Sequence, residues 1–420
     1  LPLVARTGTH LLHFVAYAEG QRGWGRGLRR AVGAWFNKRP VDELAYQAIK
    51  YQGRDGWKLS DLMRLSHPKP DSVFERQALY KWIVDGIEDA GWARVGLAGT
   101  DLREWLPPLI QAFEMVKVSE TKADVAELIR NHRLPREAIP TQWLDEPEVW
   151  DALLEHMPLE AMVRNLGKMT AVGLLQGGSA VARLACERLA DTEVIRKSRL
   201  HPLKLLVAQK VYEQGHGVLG KLTWDPVASV VDALDTAFYA AYGNVEPTGK
   251  RLLIAIDGSG SMAYPLSAAP ALTCRQAAVA LALVHANIEP TLPVMVGFTT
   301  SVREVGISPR QRLADAIRTF EQQVDTKGTD CALPMLYAQT RELDVDGFVL
   351  LSDSETWAGA IHPVEALRQY RQRLVPKAKM VVNAMVANTV SIADPNDAGM
   401  LDCAGWDTSV PGVVADFIRG

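Results

Sequence analysis

The sequence predicts a multidomain chain: tandem α-helices over residues 1–245, followed by an α/β doubly wound parallel sheet over residues 246–420. Three observations carry this reading. Apolar residues recur with the helical 3.6-residue period through the first stretch, where few segments alternate with period two. A breaker-rich connection over 242–249, Tyr-Gly-Asn-Val-Glu-Pro-Thr-Gly, interrupts the pattern. Beyond it, apolar strand-like runs alternate with helical segments, the pattern of a sheet covered by helices on both faces.

In the first half, Leu44, Ala45, Ala48 and Ile49 share one helical face. Asp71 is a candidate N-cap for a helix over 73–87, with Gly91 beyond its end. Thr121 opens another helix with capping residues. Further helices are expected over 146–156, 159–165, 179–190, 191–215 with a break at Pro202, and 226–242. No strict period is present, so the repeat is degenerate, of the HEAT-like helix-pair kind. The second half opens on a buried strand over 251–257. A helix over 274–287, a strand over 292–298, and helices over 310–322 and 331–343 follow. A strand over 347–351, a helix over 363–372, a strand over 379–386 and a helix ending near Ile418 complete it. In such sheets ligands sit at the carboxyl ends of the strands.

With 48% hydrophobic and 23% charged residues, the chain has the composition of an ordinary globular protein able to bury sizeable cores. Its longest apolar stretch, 277–284, is too short to span a bilayer, so no membrane partner is expected. Cys186, Cys274, Cys331 and Cys403 form no CxxC or Cys/His pattern and read as buried, reduced thiols of a cytoplasmic protein. No signal peptide is visible, and because the chain opens at Leu1 rather than Met, its native N-terminus is expected to lie upstream. Charge is unevenly spread. Residues 21–70 hold eleven Lys/Arg against four acids, a local net of +7 in a chain of net −3. Such a concentration is the footprint of a polyanion-binding surface, although it also suits a well-solvated helical face.

Two candidate strands of the second half end in acids, giving Asp257-Gly258-Ser259-Gly260-Ser261 and Leu350-Leu351-Ser352-Asp353-Ser354, with Lys327-Gly328-Thr329-Asp330 between them. Asp257, Ser259, Ser261, Thr329 and Asp353 form a hard-oxygen set that suits octahedral Mg²⁺ or Mn²⁺. Other readings fail on spacing: no lysine makes a phosphate loop, and Ser259 lacks the glycines of a nucleophile elbow. A purely structural turn suits any one of the loops alone. This half resembles a von Willebrand factor A domain, and the five residues match its metal-ion-dependent adhesion site. The resemblance implies a site that holds a metal with one position kept for a partner's carboxylate, and so binds rather than catalyses.

The stretch from Lys50 to Pro70 has its own signature. Lys50 and Arg54, spaced i, i+4, share a helix edge if the helix runs on before Gly56. Ser60 is a candidate cap for a second short helix, whose far end presents His67 before two prolines. A flexible cation, a planar guanidinium and an imidazole suit phosphate oxygens and base edges of folded RNA. Taken singly, His67 also reads as a structural histidine and Trp57 as core packing.

This stretch resembles the TROVE module of the Ro autoantigen family, bacterial type. Further matches are Gly23-Trp24-Gly25-Arg26-Gly27, Arg199-Leu200-His201-Pro202-Leu203, Gly243-Asn244-Val245-Glu246-Pro247, Thr329-Asp330-Cys331-Ala332-Leu333-Pro334-Met335 and Ser391-Ile392-Ala393-Asp394-Pro395, in family order along the whole chain. The resemblance implies a ring of helical repeats joined to the A domain. It also implies structured Y RNAs on the outer surface, contacted at the positions of Lys50, Arg54 and His67. Single-stranded ends of misfolded RNAs would enter the central hole, in noncoding RNA quality control. The opening Leu1-Pro2-Leu3-Val4-Ala5-Arg6 matches an interior part of the module, so the 1–245 domain is expected to lack the module's N-terminal helices.

The expected function is therefore a non-catalytic RNA-binding scaffold of a small ribonucleoprotein. The alternative is a metal-dependent protein-interaction scaffold that captures a partner's carboxylate. No nucleophile–base pair, H-E-x-x-H motif or nucleotide loop supports an enzyme.

Overall fold

The computed structural model describes residues 1, 3–70, 73–88, 102–267, 269–353, 358–386, 392–405 and 409–420. Asp71, Gly91, Ser354 and Ser391, named above, lie outside the described residues. The chain forms two compact units, Leu1–Met157 and Pro158–Gly420.

The first unit is helical: α1 (Gly8–Arg22), α2 (Arg26–Asn37), α3 (Val41–Lys50), α4 (Leu59–Ser66), α5 (Phe74–Asp85), α6 (Pro108–Val118), α7 (Lys122–His132) and α8 (Pro147–His156). Helices near in sequence pack on one another, α2 on α4, α4 on α5, α6 on α7 and α7 on α8. Thr121 caps α7 as expected, by accepting from the Asp124 amide. The helix expected over 73–87 is shorter: its N-cap is Val73, not Asp71, and it stops at Gly86, whose φ of 74° suits only glycine comfortably. The core is organised around Trp35 and Trp150, both fully buried, and each indole N–H donates to a backbone carbonyl, of Ala5 and Leu144 respectively. Arg39, one of the eleven cations of the basic stretch, is part of this core. Its guanidinium lies 3.8 Å from the Trp35 ring centroid and donates to the carbonyls of Ala5 and Arg6. Not all of the positive charge is therefore surface charge.

Two expectations for this region are corrected. Helix α3 ends at Lys50, and Arg54 lies instead in a small antiparallel hairpin of β1 (Gly53–Arg54) and β2 (Trp57–Lys58). Lys50 and Arg54 therefore share no helix edge; Asp55 and Gly56, both at positive φ, supply the tight turn. Ser60 is not the cap of α4, which starts one residue earlier at Leu59; the Asp61 carboxylate accepts from the Lys58 amide at 2.9 Å and closes the turn.

The second unit begins with α9 (Leu159–Ala171), α10 (Ala180–Ala190), α11 (Thr192–Ser198), α12 (Pro202–Glu213) and α13 (Ala228–Ala240). The expected break at Pro202 is present, with His201 as N-cap of α12. Then come β3 (Leu252–Asp257), a ribbon of β4 (Pro265–Leu266) and β5 (Ala269–Thr273), α14 (Cys274–Ile288), β6 (Val294–Phe298) and β7 (Val302–Glu304). α15 (Leu313–Gln323), α16 (Leu333–Thr340), β8 (Gly347–Ser352), α17 (Pro363–Arg373), β9 (Lys379–Ala384), β10 (Met400–Ala404) and α18 (Val410–Arg419) complete the unit. The principal sheet has the order β10-β9-β8-β3-β6-β7. All neighbours are parallel except β7, which runs antiparallel to β6. The expectation of a wholly parallel sheet is corrected at that edge, because the short Thr299–Ser301 turn can join only antiparallel neighbours. Every residue of β3 and β8 is buried, as expected of central strands covered on both faces.

The change of sequence pattern falls at 245/246, whereas the compact units divide at Met157/Pro158. Periodicity reports local structure and not which elements pack together: α12 lies against β5 and α14, so the helices of 158–244 share a unit with the sheet. All four cysteines are free; Cys274 and Cys331 are buried, as expected, but Cys186 and Cys403 are only half-buried. No helix among the described residues is long and apolar enough to cross a membrane.

Candidate metal centre and nucleic-acid interface

Three loops meet at the carboxyl edge of the sheet. β3 delivers Asp257, fully buried, and the Gly258 amide donates to the Phe298 carbonyl at the end of β6. A Cβ on Gly258 would lie 2.4 Å from Val324 and 2.8 Å from the Asp325 carbonyl, so the loop can turn this closely only with glycine. The Asp257 carboxylate accepts from the Ser259 amide at 2.8 Å and from the Ser352 hydroxyl at 2.6 Å. Ser259 and Ser261 hydroxyls lie 3.1 Å apart. Asp353, at the end of β8 and 5% exposed, is close enough to act electrostatically on Asp257. Burial pushes the Asp257 carboxyl up to about 6; the Ser352 and Ser259 hydrogen bonds oppose the rise, and Asp353 adds to it.

Thr329 is 3% exposed on the adjoining loop, which the Asp330 amide fixes to the Thr299 carbonyl just beyond β6. The structure therefore brings Asp257, Ser259, Ser261 and Asp353 into one cluster and places Thr329 on the next loop. Among the described residues, no group of three or more His, Cys, Asp or Glu side chains is arranged to hold a metal. The donors here are two carboxylates and hydroxyls, which fits a hard cation such as Mg²⁺ or Mn²⁺ and not zinc. Two residues of this region were not singled out from sequence. Ser352 is fully buried and bonded to Asp257, and Arg275 donates to the carbonyls of Gly258 and Ser259 and holds the loop in place. Ser352 sits directly before Asp353, but nothing in its identity tells which strand face it occupies.

In the first unit, Arg54 and His67 are exposed and connected through a pair of tryptophans. Arg54 pairs across the hairpin with Trp57; Trp57 stacks on Trp24, with ring centroids 6.1 Å apart; the Trp24 indole donates to the Leu65 carbonyl at 3.4 Å, near the end of α4. His67 caps that helix in the left-handed conformation, φ 47° and ψ 55°. Lys50 is separate from this connected group. Its ammonium donates to the Tyr46 hydroxyl at 2.9 Å and lies 5.2 Å and 5.9 Å from the Tyr46 and Tyr51 ring centroids. Burial lowers the Lys50 pKa, but the interactions with Tyr46, Tyr51 and Glu137 outweigh it and leave the value raised, so the side chain is a cation at neutral pH. Trp57 is half-buried against Trp24, which supports a packing role for it.

Residues 251–418 match the Ro60 vWA domain and residues 3–211 the TROVE domain. The RNA-binding protein RO60 of Deinococcus radiodurans is 42% identical over 425 residues, spanning all of this chain and 77% of that protein. The RNA-binding protein RO60 of Caenorhabditis elegans is 36% identical, spanning all of this chain and 72% of that protein. Among solved structures, the Deinococcus radiodurans RO (RSR) protein superposes with a TM-score of 0.86 over the full chain and 82% of its own length. A TROVE match ahead of a Ro60 vWA match, with this identity along the whole chain, makes the protein a member of the Ro60 family.

Proposed function

We propose that this chain is a non-catalytic RNA-binding scaffold whose first unit holds structured, Y-like noncoding RNA through Lys50, Arg54 and His67. Single-stranded ends of misfolded RNA are a second RNA class that the scaffold takes, in cytoplasmic RNA quality control. The observation that carries the reading is the exposed surface joining Arg54 to His67 through Trp57 and Trp24, in the most basic stretch of the chain. The names of the two relatives, RNA-binding proteins, support it. Lys50→Ala and Arg54→Ala are each expected to weaken filter binding of a small structured RNA by about 1–3 kcal/mol where the contact is specific. A variant that loses only a phosphate contact also makes the salt dependence shallower by about one. Wild-type affinity in both variants would overturn the assignment of the site.

The buried Asp257–Asp353 cluster favours a second activity beside the first: Mg²⁺ or Mn²⁺ held at Asp257, Ser259, Ser261, Thr329 and Asp353, capturing a protein partner's carboxylate. Capture that disappears with a chelator yet ignores moderate salt distinguishes it from RNA binding, so Asp353→Ala is expected to leave RNA affinity unchanged. Purified protein is expected to leave RNA and nucleoside triphosphates intact. Turnover that Asp257→Ala abolished would show that the metal site catalyses.

A further inference from the structure

The basic stretch contains a second group of cations that the family resemblance does not assign. Arg26, Arg29 and Arg30 lie at i, i+3 and i+4 on the first turns of α2, and Arg22 ends α1 just before them. All four are exposed, and none takes part in an ion pair among the described residues, in contrast to Arg39, which is absorbed by the core. Their position is fixed by packing. Trp24, two residues before Arg26, carries the stack with Trp57 and the bond to Leu65. One turn after Arg29 and Arg30, Gly33 is buried, and a Cβ there would sit 3.9 Å from Pro68, the neighbour of His67. The start of α2 is thus tied to the Arg54 hairpin on one side and to the His67 helix end on the other. The backbone around it is also open, because a Cβ at Gly25 or Gly27 would meet nothing.

We propose that Arg26, Arg29 and Arg30 extend the RNA surface of the Lys50–His67 region and contact the backbone phosphates of the same bound RNA. The inference rests on the RNA-binding reading above and adds its footprint. Three guanidiniums that form no ion pair among the described residues lie within two helical turns, on a helix packed against the Arg54 hairpin and the His67 helix end, and the complement of such clustered positive charge is a polyanion. Guanidinium groups match phosphate oxygens through paired N–H donors, and spacing along one helix face lets neighbouring side chains follow one strand. Such contacts contribute affinity that falls with salt and carry no sequence preference.

The test uses the full chain, a synthetic RNA hairpin with an internal loop, and an unrelated hairpin of equal length, each titrated at two salt concentrations. The triple variant Arg26→Ala/Arg29→Ala/Arg30→Ala is expected to bind both RNAs at least about tenfold more weakly, with a salt slope shallower by about two to three. Arg26→Lys/Arg29→Lys/Arg30→Lys is expected to recover most of the affinity, and far-ultraviolet circular dichroism shows whether either variant keeps its helices. A triple-alanine variant that is folded and binds like wild type, while Arg54→Ala is weakened, overturns the extension and leaves the RNA reading intact. Wild-type protein that binds neither RNA overturns both.

Discussion

Asp257→Asn is expected to abolish binding of Mn²⁺, followed by the loss of the free-ion electron paramagnetic resonance signal on titration. The change keeps the shape of the side chain and removes the charge of the better-buried of two neighbouring carboxylates. Hard divalent cations are held by charge and by oxygen donors, and an amide oxygen supplies only the second. Asp257 serves the loop as well, through the Ser259 amide and the Ser352 hydroxyl. Asparagine keeps one acceptor oxygen for these donors, whereas alanine leaves both without one, a cost of about 1–3 kcal/mol per buried group. The pair of variants thus separates two effects: Asp257→Asn is expected to lose metal with a small change in melting temperature, and Asp257→Ala to lose both metal and stability. Undiminished Mn²⁺ uptake by Asp257→Asn would remove Asp257 from the ligand set.

The second large effect is a loss of stability in acid that traces to His201. This residue caps α12 by accepting the Leu203 amide at Nδ1, 3.2 Å away, so the neutral ring carries its proton on Nε2, which is buried without a hydrogen-bond partner among the described residues. Burial, then the neighbouring His285 and Lys204, lower its pKa from 6.5 to about 4. A proton added to the neutral ring has to go to Nδ1, which ends the cap. Because the folded value lies below the unfolded one, the unfolded chain takes up the proton first as pH falls. The stabilisation is fully present above pH 6.5 and is lost on the way down to about 4. At about 1.4 kcal/mol per pKa unit, it amounts to about 3 kcal/mol. His201→Asn keeps an N-cap acceptor and cannot titrate. Urea unfolding at pH 7 and pH 4 is expected to show a larger acid loss in wild type than in His201→Asn; equal losses would place the acid sensitivity elsewhere.

The sequence-based reading succeeded where the signal is local and failed where it depends on partners. The central strands were legible because β3 and β8 are continuous apolar runs ending in acids, and the break before α12 because proline cannot continue a helix. β7 and β10 were missed. β7 is three residues long with two of them exposed, and β10 is mostly half-buried and includes Asp402, so neither has an apolar signature. Spacing misled at Lys50 and Arg54, because an i, i+4 interval implies a shared face only if the helix persists, and Asp55-Gly56 turned the chain into a hairpin. In the Asp257–Asp353 cluster, the acids and hydroxyls at the strand ends could be read from sequence but the contacts that support them could not. Ser352 and Arg275 act through geometry that no spacing rule encodes.

The packing of α12 against β5 and α14 bears on how this chain can be taken apart. Residues 246–420 look like an exchangeable cassette, the piece a gene fusion would borrow to transplant the Asp257–Asp353 cluster into another protein. Cut there, the cassette would leave behind the helices that cover one flank of its own ribbon and of α14, a helix buried along most of its length. It would carry Glu289 with it, whose carboxylate holds the Thr248 amide and hydroxyl and the Gly249 amide, and so would keep its first loop. The uncovered flank would be an apolar adhesive surface in the new host. A join at 157/158 carries the covering helices along, so the inheritable part is larger than the part that the sequence pattern marks out.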